Sequence, residues 1–197
     1  RSLEGAAPEW HLAAGYGKVD AADLEELGRI FARRRQLGTQ VVFDPGPWFK
    51  GRVNTPEMLA LWSQVDCLVA TEEELLAWHP AGDAQSLAAQ LLQLGPTQVV
   101  VKRGKQGAVC ADKAGVAVLP TTPVEGANTV GAGDTFNGRL ICGLCRGEGL
   151  EEAVRAALQL ATQAVRHGRG VLGAFIRAPT ASQPPDCGRT GALTADH

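Results

Sequence analysis

The segment NTVGAGDTFNG, residues 128–138, places small residues and an acid at the start of an apolar segment. Glycine suits positions that need a positive φ or a close approach by another group. A helix N-terminus presents unpaired N–H groups and the positive end of the helix dipole, which suits an anion. We therefore interpret Gly131, Ala132 and Gly133 as backbone donors to an anion, with Asp134 beside them. Asp134 can also be an ordinary first-turn acid that only stabilises the helix.

Three further segments carry side chains that could act with this turn. Each follows a predicted strand, and in open α/β sheets ligands bind beyond the carboxyl ends of the strands. We therefore expect one shared site at that edge of the sheet. Simpler interpretations stay open, because T-x-x-E is also a capping box and a lysine can be a plain charge at a strand end. The candidates in these segments are Asp44, Thr71, Glu74, Lys102, Arg103, Gly104 and Gly107.

The spacing of apolar residues predicts strands that alternate with helices. The valines of TQVVVKRG are typical of a strand buried on both faces, and GAVCAD and GVAVLP flank the turn KAG as in a β-hairpin. The sequence therefore predicts one α/β domain with a mostly parallel sheet covered by helices. Strands are predicted at WHLAAGY, QVVFD, DCLVA and TQVVVKRG, and helices at about 20–37, in AQSLAAQLLQLG, and at about 132–146 and 150–167, with shorter ones opening at Thr55 and Thr71.

The composition is that of an ordinary globular chain. Its 197 residues are 45% hydrophobic and carry a formal net charge of −2, so no basic excess indicates binding to nucleic acid or to an anionic membrane surface. No apolar segment approaches the length of a membrane span. Five scattered cysteines favour a reducing compartment, and we expect a cytoplasmic protein. Cys142 and Cys145 form a C-x-x-C in an apolar segment, and we interpret them as core residues.

The order of TEEE, VVVKRGKQGA and NTVGAGDTFNG resembles the C-terminal signature of the ribokinase (PfkB) family of sugar and nucleoside kinases. The family hallmark D-T-x-G-A-G-D-T-F is long, and the resemblance extends from about Trp10 to Gly173. It implies a three-layer ribokinase-like α/β fold over residues 1–173. Residues 174–197, rich in Gly, Pro, Ser and Thr, are predicted to be a loosely ordered tail.

The resemblance also implies a reaction and its residues. The reaction would be transfer of the ATP γ-phosphoryl group to a sugar hydroxyl with Mg²⁺. Asp134 would take the proton from that hydroxyl and contact the sugar together with Asp44, and the N–H groups of residues 131–133 would form the anion hole. Glu74 would act through water bound to the metal. The nucleotide would contact Thr71, Lys102, Arg103, Gly104, Gly107 and Asn128.

Three departures from the family pattern bear on these implications. Asn128 stands where the family has an acid. Some members bind a monovalent cation, K⁺, at this position, and the replacement of the acid weakens the prediction of such a site here. Thr71 replaces the asparagine of N-x-x-E, and DPGPW stands where many sugar kinases have D-x-N-x-R. The family's N-terminal portion, with its glycine-rich sugar motif and lid, is not found in this sequence. Since the chain starts at Arg1, we expect that the gene product begins further upstream.

Two alternatives to a sugar kinase follow from the same residues. A nucleoside kinase of the family would share this C-terminal signature, so the acceptor is not distinguished. A non-catalytic fragment that binds only nucleotide is the other alternative. The expected partners are ATP and a small-molecule sugar, with neither nucleic acid nor membrane, and a homodimer is one assembly that the resemblance allows.

Overall fold

The computed structural model describes residues 8–15, 20–49, 54–125 and 129–167. These residues form a six-stranded sheet whose strands lie side by side in chain order. The strands are β1 (Trp10–Ala14), β2 (Gln40–Asp44), β3 (Cys67–Thr71), β4 (Gln98–Lys102), β5 (Ala108–Asp112) and β6 (Gly115–Leu119). Strands β1 to β4 run parallel, whereas β5 is antiparallel to both β4 and β6. The predicted mostly parallel sheet and its hairpin are therefore confirmed.

Helices cover both faces of this sheet. One face carries α1 (Ala21–Gln36), α2 (Pro56–Trp62), α3 (Glu72–Leu76) and α4 (Ala84–Leu92), and the other carries α5 (Ala132–Cys145) and α6 (Leu150–Arg166). Short 3₁₀ turns at Gly46–Phe49 and Gly104–Gln106 follow β2 and β4. This arrangement confirms the predicted α/β fold in three layers. None of the helices in the described part of the chain is long and apolar enough to cross a bilayer.

Successive residues of the central strands point into two different cores. In β2, Phe43 faces the core beneath α1 to α4, whereas Val42 faces α5 and α6. In β4, Val99 and Val101 face the first core and Val100 the second, and all of them are fully buried. Burial of each such side chain contributes about 1.5–3 kcal/mol, so the sheet is a firm support for the residues at its edge.

The helices begin where the sequence places their caps. The Asp20 carboxylate accepts the N–H of Asp23 at 3.0 Å, and the Thr55 hydroxyl accepts the N–H of Met58 at 3.4 Å. At the end of α1 the chain reverses through Gly38, whose φ is +81°, a conformation that glycine adopts readily after a helix C-terminus. Local capping chemistry thus fixes the bounds of the helices that flank the sheet.

The positions of Cys142 and Cys145 differ from the predicted core positions. Cys145 lies exposed at the last position of α5 and Cys142 is half-buried, so the predicted core position is wrong for Cys145. The reason is the helical phase, because Leu140 and Leu144 form the buried stripe and Cys145 lies 100° beyond it. All four cysteines in the described ranges are free thiols. The predicted tail at 174–197 lies outside the described residues.

Candidate active site

A cavity of about 350 Å³ lies where the carboxyl ends of the parallel strands meet the start of α5. The ends of β2, β3 and β4 line it, together with the turn after β4 and parts of α5 and α6. This is the edge at which the sequence places the candidate residues. Those that line the cavity are Asp44, Thr71, Glu74, Lys102, Gly104, Gly107, Ala132 and Gly133.

The start of α5 supplies backbone donors to this cavity. Gly131 is the N-cap with φ +80° and, as a glycine, has no side chain that could cap the helix. Its carbonyl oxygen accepts both the N–H and the hydroxyl of Thr135, at 2.9 and 2.8 Å, which closes the first turn. The first N–H groups of a helix have no acceptor within the helix. The N–H of Ala132 donates to the carbonyl of Thr129, before the helix, at 3.0 Å. An anion beside Ala132 and Gly133 would meet the N–H of Gly133 and the positive end of the dipole of α5, and it would have to displace the Thr129 carbonyl to accept from Ala132.

A buried carboxylate joins three elements below this turn. Asp44, only 3% exposed at the end of β2, accepts through Oδ2 from Lys102 Nζ at 2.7 Å and from Asn137 Nδ2 at 2.6 Å. Its Oδ1 accepts the N–H of Gly46 at 3.2 Å. Both oxygens of Asp44 are thus hydrogen-bonded within the protein, and its predicted contact with the sugar stays a prediction.

Thr71 and Glu74 form the capping box that their spacing predicts. The N–H of Thr71 donates to Glu74 Oε2 at 2.8 Å, and the N–H of Glu74 donates to the Thr71 hydroxyl at 3.3 Å. The capping interpretation is therefore confirmed for both residues. It leaves a further role open, because the buried Glu74 side chain also lines the cavity.

The turn after β4 brings its backbone to the cavity through two glycines with positive φ. Gly104 has φ +53° and Gly107 has φ +93°. The N–H of Arg103 donates to the carbonyl of Gly107 at 2.8 Å, which closes the turn. A Cβ on Gly107 would lie 2.0 Å from the Leu119 carbonyl oxygen, whereas a Cβ on Gly104 would meet nothing within 4 Å. Only Gly107 is held by a close backbone contact.

We expect Gly107→Ala to destabilise the protein by about 3 kcal/mol or more and Gly104→Ala by about 1 kcal/mol. Both substitutions put a side chain at positive φ, which costs about 1–2 kcal/mol, but only the first also forces β5 and β6 apart. Urea denaturation of the two variants and the wild type measures the difference. Equal losses in the two variants would contradict the close packing assigned to Gly107.

The far wall of the cavity is largely apolar and comes from α6 and the segment after β6. The hydroxyls of Thr121 and Thr162 are hydrogen-bonded across this wall at 2.8 Å. An apolar wall with few polar atoms suits a planar organic group such as a nucleotide base. The wall residues are Thr121, Thr122, Pro123, Val124, Leu158, Ala161, Thr162 and Val165.

Three predicted site residues do not line the cavity, and one lies outside the described residues. Asp134 is exposed in the first turn of α5, beside Gly133, and Gly131 is the cap immediately before the cavity. Arg103 pairs with Glu72, with 3.2 Å between Nε and Oε1. Its predicted contact with the nucleotide stays a prediction, and Asn128 is outside the described residues.

Comparison with known proteins decides the family. Residues 18–172 match the family described as pfkB family carbohydrate kinase. The chain belongs to the pfkB family. It is 29% identical over 163 residues to a cytidine kinase of Thermococcus kodakarensis, and the match covers 81% of this chain and 58% of the relative. The resemblance seen in the sequence is thereby confirmed, and the chain spans little more than half the length of this relative.

Solved structures share the fold. An aminoimidazole riboside kinase from Salmonella enterica, complexed with aminoimidazole riboside and an ATP analog, aligns with a TM-score of 0.71 and 23% identity over 84% of this chain and 59% of that chain. A putative ribokinase II from E. coli, in complex with ATP and Mg²⁺, aligns with a TM-score of 0.68 and 25% identity over 82% and 53%. The ribokinase-like fold is therefore confirmed for this pfkB chain.

The pfkB site fits a magnesium ion that arrives with a nucleotide. Mg²⁺ is usually held by one or two carboxylates together with substrate phosphates and water. No group of three His, Cys, Asp or Glu side chains in the described ranges could hold a metal by itself. The buried Glu74 carboxylate offers the cavity one oxygen besides the one that binds the N–H of Thr71. A single carboxylate of this kind suits a metal whose other ligands are phosphate oxygens and water.

Sequence reasoning missed Asn137, and it named no residue of the wall formed by α6. Asn137 is 2% exposed, between the buried residues Phe136 and Leu140 of α5. An amide on the apolar face of a helix was the available signal, because a buried polar group needs a partner. The α6 wall had no such signal, since Leu158, Ala161 and Val165 are typical of any amphipathic helix.

Proposed function

We propose that the full-length protein transfers the γ-phosphoryl group of ATP to a hydroxyl group of a sugar. The observation that carries this proposal is the start of α5, where Ala132 and Gly133 line the same cavity as Lys102 while Asp134 stands in the same helical turn. Anion donors, a cation and a carboxylate are thus adjacent at one sheet edge. Phosphoryl transfer needs this combination, because its barrier is lowered by positioning and by stabilisation of charge on the phosphoryl oxygens.

In the proposed reaction Asp134 accepts the proton of the acceptor hydroxyl as its oxygen attacks the γ-phosphorus. The bond between that oxygen and phosphorus forms, the bond from phosphorus to the bridging oxygen breaks, and ADP leaves with the electron pair. The N–H groups of residues 131–133 would stabilise the charge on the transferred group, that of Ala132 after it leaves the Thr129 carbonyl. When bound, Mg²⁺ supplies further neutralisation of phosphate charge, and Glu74 would hold it directly or through water.

The lining of the cavity suits both parts of a nucleotide. The Lys102 ammonium suits the phosphates, and the largely apolar wall formed by α6 suits the base. Proteins with this fold have been solved with ATP and Mg²⁺ or with an ATP analog. These observations support ATP as the phosphoryl donor of this chain.

A nucleoside is the second candidate acceptor. Two of the similar proteins are a cytidine kinase and an aminoimidazole riboside kinase, whose acceptors are ribosides. A riboside offers the same kind of hydroxyl to Asp134 as a sugar does. Sugars and nucleosides therefore belong in the same assay.

Acceptor-dependent formation of ADP tests the proposal. The full-length protein is incubated with Mg-ATP and a panel of free sugars, sugar acids and nucleosides, and the phosphorylated acceptor is identified by mass spectrometry. We expect ADP and one phosphorylated acceptor class in equal amounts. ATP binding without any phosphorylated acceptor would instead support the non-catalytic alternative.

Exchange of K⁺ for Na⁺ tests the predicted monovalent-cation site, and light scattering tests the predicted homodimer.

A further inference from the structure

Asp44, Lys102 and Asn137 form a cluster, here called the lysine anchor, beneath the start of α5. Asp44 and Asn137 are 3% and 2% exposed, and of these two residues only Asp44 lines the cavity. The Lys102 side chain is 15% exposed and lines the cavity. Lys102 therefore presents the positive charge of the lysine anchor to the cavity.

The ammonium group of Lys102 lies beside the proposed anion hole. A Cβ built on Gly133 would be 3.9 Å from Lys102 Nζ. An anion that accepts from the N–H groups at the start of α5 would consequently lie close to this ammonium. Lys102 is also aligned with Thr71 across β3 and β4, so the cation stands at the end of the sheet between the capping box and α5.

Asp44 orients the Lys102 ammonium and accepts only one of its hydrogen bonds. An ammonium has three N–H donors, and Asp44 accepts one of them, at 2.7 Å. The Asp44 carboxylate also accepts from Asn137 Nδ2 and from the N–H of Gly46, which spreads its negative charge over other donors. Among the described residues Lys102 has no further acceptor, so two of its N–H groups stay available to an acceptor in the cavity.

Asn137 cannot reverse its amide at this position. Its Nδ2 donates to the carboxylate, and a rotated amide would place two oxygens with only lone pairs against each other. Its Oδ1 is buried and has no hydrogen-bond partner among the described residues. Asn137 lies one turn after Asp134 on α5, so its bond to Asp44 ties the helix with the anion hole to β2, whose Asp44 pairs with Lys102 of β4.

We propose that the lysine anchor holds the Lys102 ammonium against the terminal phosphate of the nucleoside triphosphate, so that the protein prefers ATP to ADP. Lys102 contacts the substrate, whereas Asp44 and Asn137 are positioning residues that act through it. The inference rests on the proposed function, in which the phosphoryl group at the start of α5 is the γ-phosphoryl group. ADP lacks that group and would leave the ammonium without this contact.

The test is calorimetric titration of the full-length protein and its variants with Mg-ATP and with Mg-ADP. Lys102→Met should lower the affinity for ATP about 10- to 100-fold, as expected for a lost charged hydrogen bond, and change that for ADP by less than about threefold. Asp44→Asn should lower ATP affinity in the wild-type background. It should cause almost no further loss in the Lys102→Met background, because positioning residues act only through the lysine.

Arg35→Met is the matched control variant. Arg35 forms an ion pair with Asp66 at the same 2.7 Å distance, but at the amino edge of the sheet, where Asp66 also accepts the N–H of Val41. It should leave both nucleotide affinities unchanged. Thermal melting monitors folding, and Asn137→Leu replaces Asp44→Asn if the latter does not fold, since it removes the Nδ2 donor to Asp44 from the lysine anchor with little change in volume.

The outcomes separate this inference from the proposed function. If the wild type prefers ATP and Lys102→Met binds both nucleotides as the wild type does, only the inference is contradicted. Equal losses for ATP and ADP in Lys102→Met, or additive losses in the double variant, would also overturn it. A wild-type protein that binds neither nucleotide would contradict the inference and the proposed function together.

Discussion

Asp134→Asn is expected to lower the turnover of the full-length protein about 10²–10⁴-fold while ATP affinity stays nearly unchanged. This is the usual contribution of general base catalysis, and the amide keeps the shape of the carboxylate but accepts no proton. If Asp134 only stabilised the first turn of α5, the same change would cost about 0.3–1 kcal/mol of stability and little turnover. A general base therefore predicts a loss of turnover, whereas a helix-stabilising acid predicts a small loss of stability.

The two roles of Asp134 are distinguished by steady-state rates at saturating ATP and acceptor. These rates are compared with the melting temperature and with the calorimetric ATP affinity. We expect the turnover number to fall with little change in the other two quantities. Asp134→Asn protein that melts normally and still phosphorylates its acceptor at nearly the wild-type rate would contradict the assigned role.

Gly133→Ala should leave the fold as stable as the wild type, or more stable by up to about 1 kcal/mol, and still abolish most of the activity. Alanine favours a helix over glycine by about that amount. The added methyl group would meet only Lys102 Nζ, at an ordinary distance of 3.9 Å. It would, however, occupy the space between Lys102 and the N–H donors that a phosphoryl group needs. A displacement of about 1 Å can cost about 100-fold in rate, so we expect a loss of at least that size.

Gly138→Ala is the matched control for this substitution. Gly138 lies on α5 five residues further along, is exposed, and a Cβ there would meet nothing within 4 Å. It should give the same gain in helix stability with unchanged turnover and ATP affinity. Thermal melting and acceptor-dependent ADP formation of both variants complete the comparison. Normal activity in Gly133→Ala would contradict the anion hole at this position.

The sequence predicted the elements and the edge of the sheet where the site lies, for local reasons. Strand and helix periods depend on neighbouring residues, as the alternation of Val99, Val100 and Val101 between two cores illustrates. Caps depend on residues three apart, as in the T-x-x-E box of Thr71 and Glu74. Since parallel strands share one carboxyl edge, the grouping of candidates followed from these local patterns.

The parts that could not be predicted depend on contacts between residues distant in the chain. Asp44 pairs with Lys102, 58 residues away, and with Asn137, 93 residues away. No local pattern relates such residues, and Asp44 was therefore interpreted from the family as a sugar contact. The prediction that Cys145 is a core residue was wrong for a different reason. An apolar segment does not reveal which side of the helix its last residue occupies.

The most direct test of the account is a crystal structure of the full-length protein with Mg²⁺ and a non-hydrolysable ATP analogue. We predict that the terminal phosphate accepts hydrogen bonds from the N–H groups of residues 131–133, with the base against the wall formed by α6. The carboxylate of Asp134 should face the terminal phosphate across the space where an acceptor hydroxyl would lie. Phosphates bound away from the start of α5, or Asp134 facing away from them, would contradict the account.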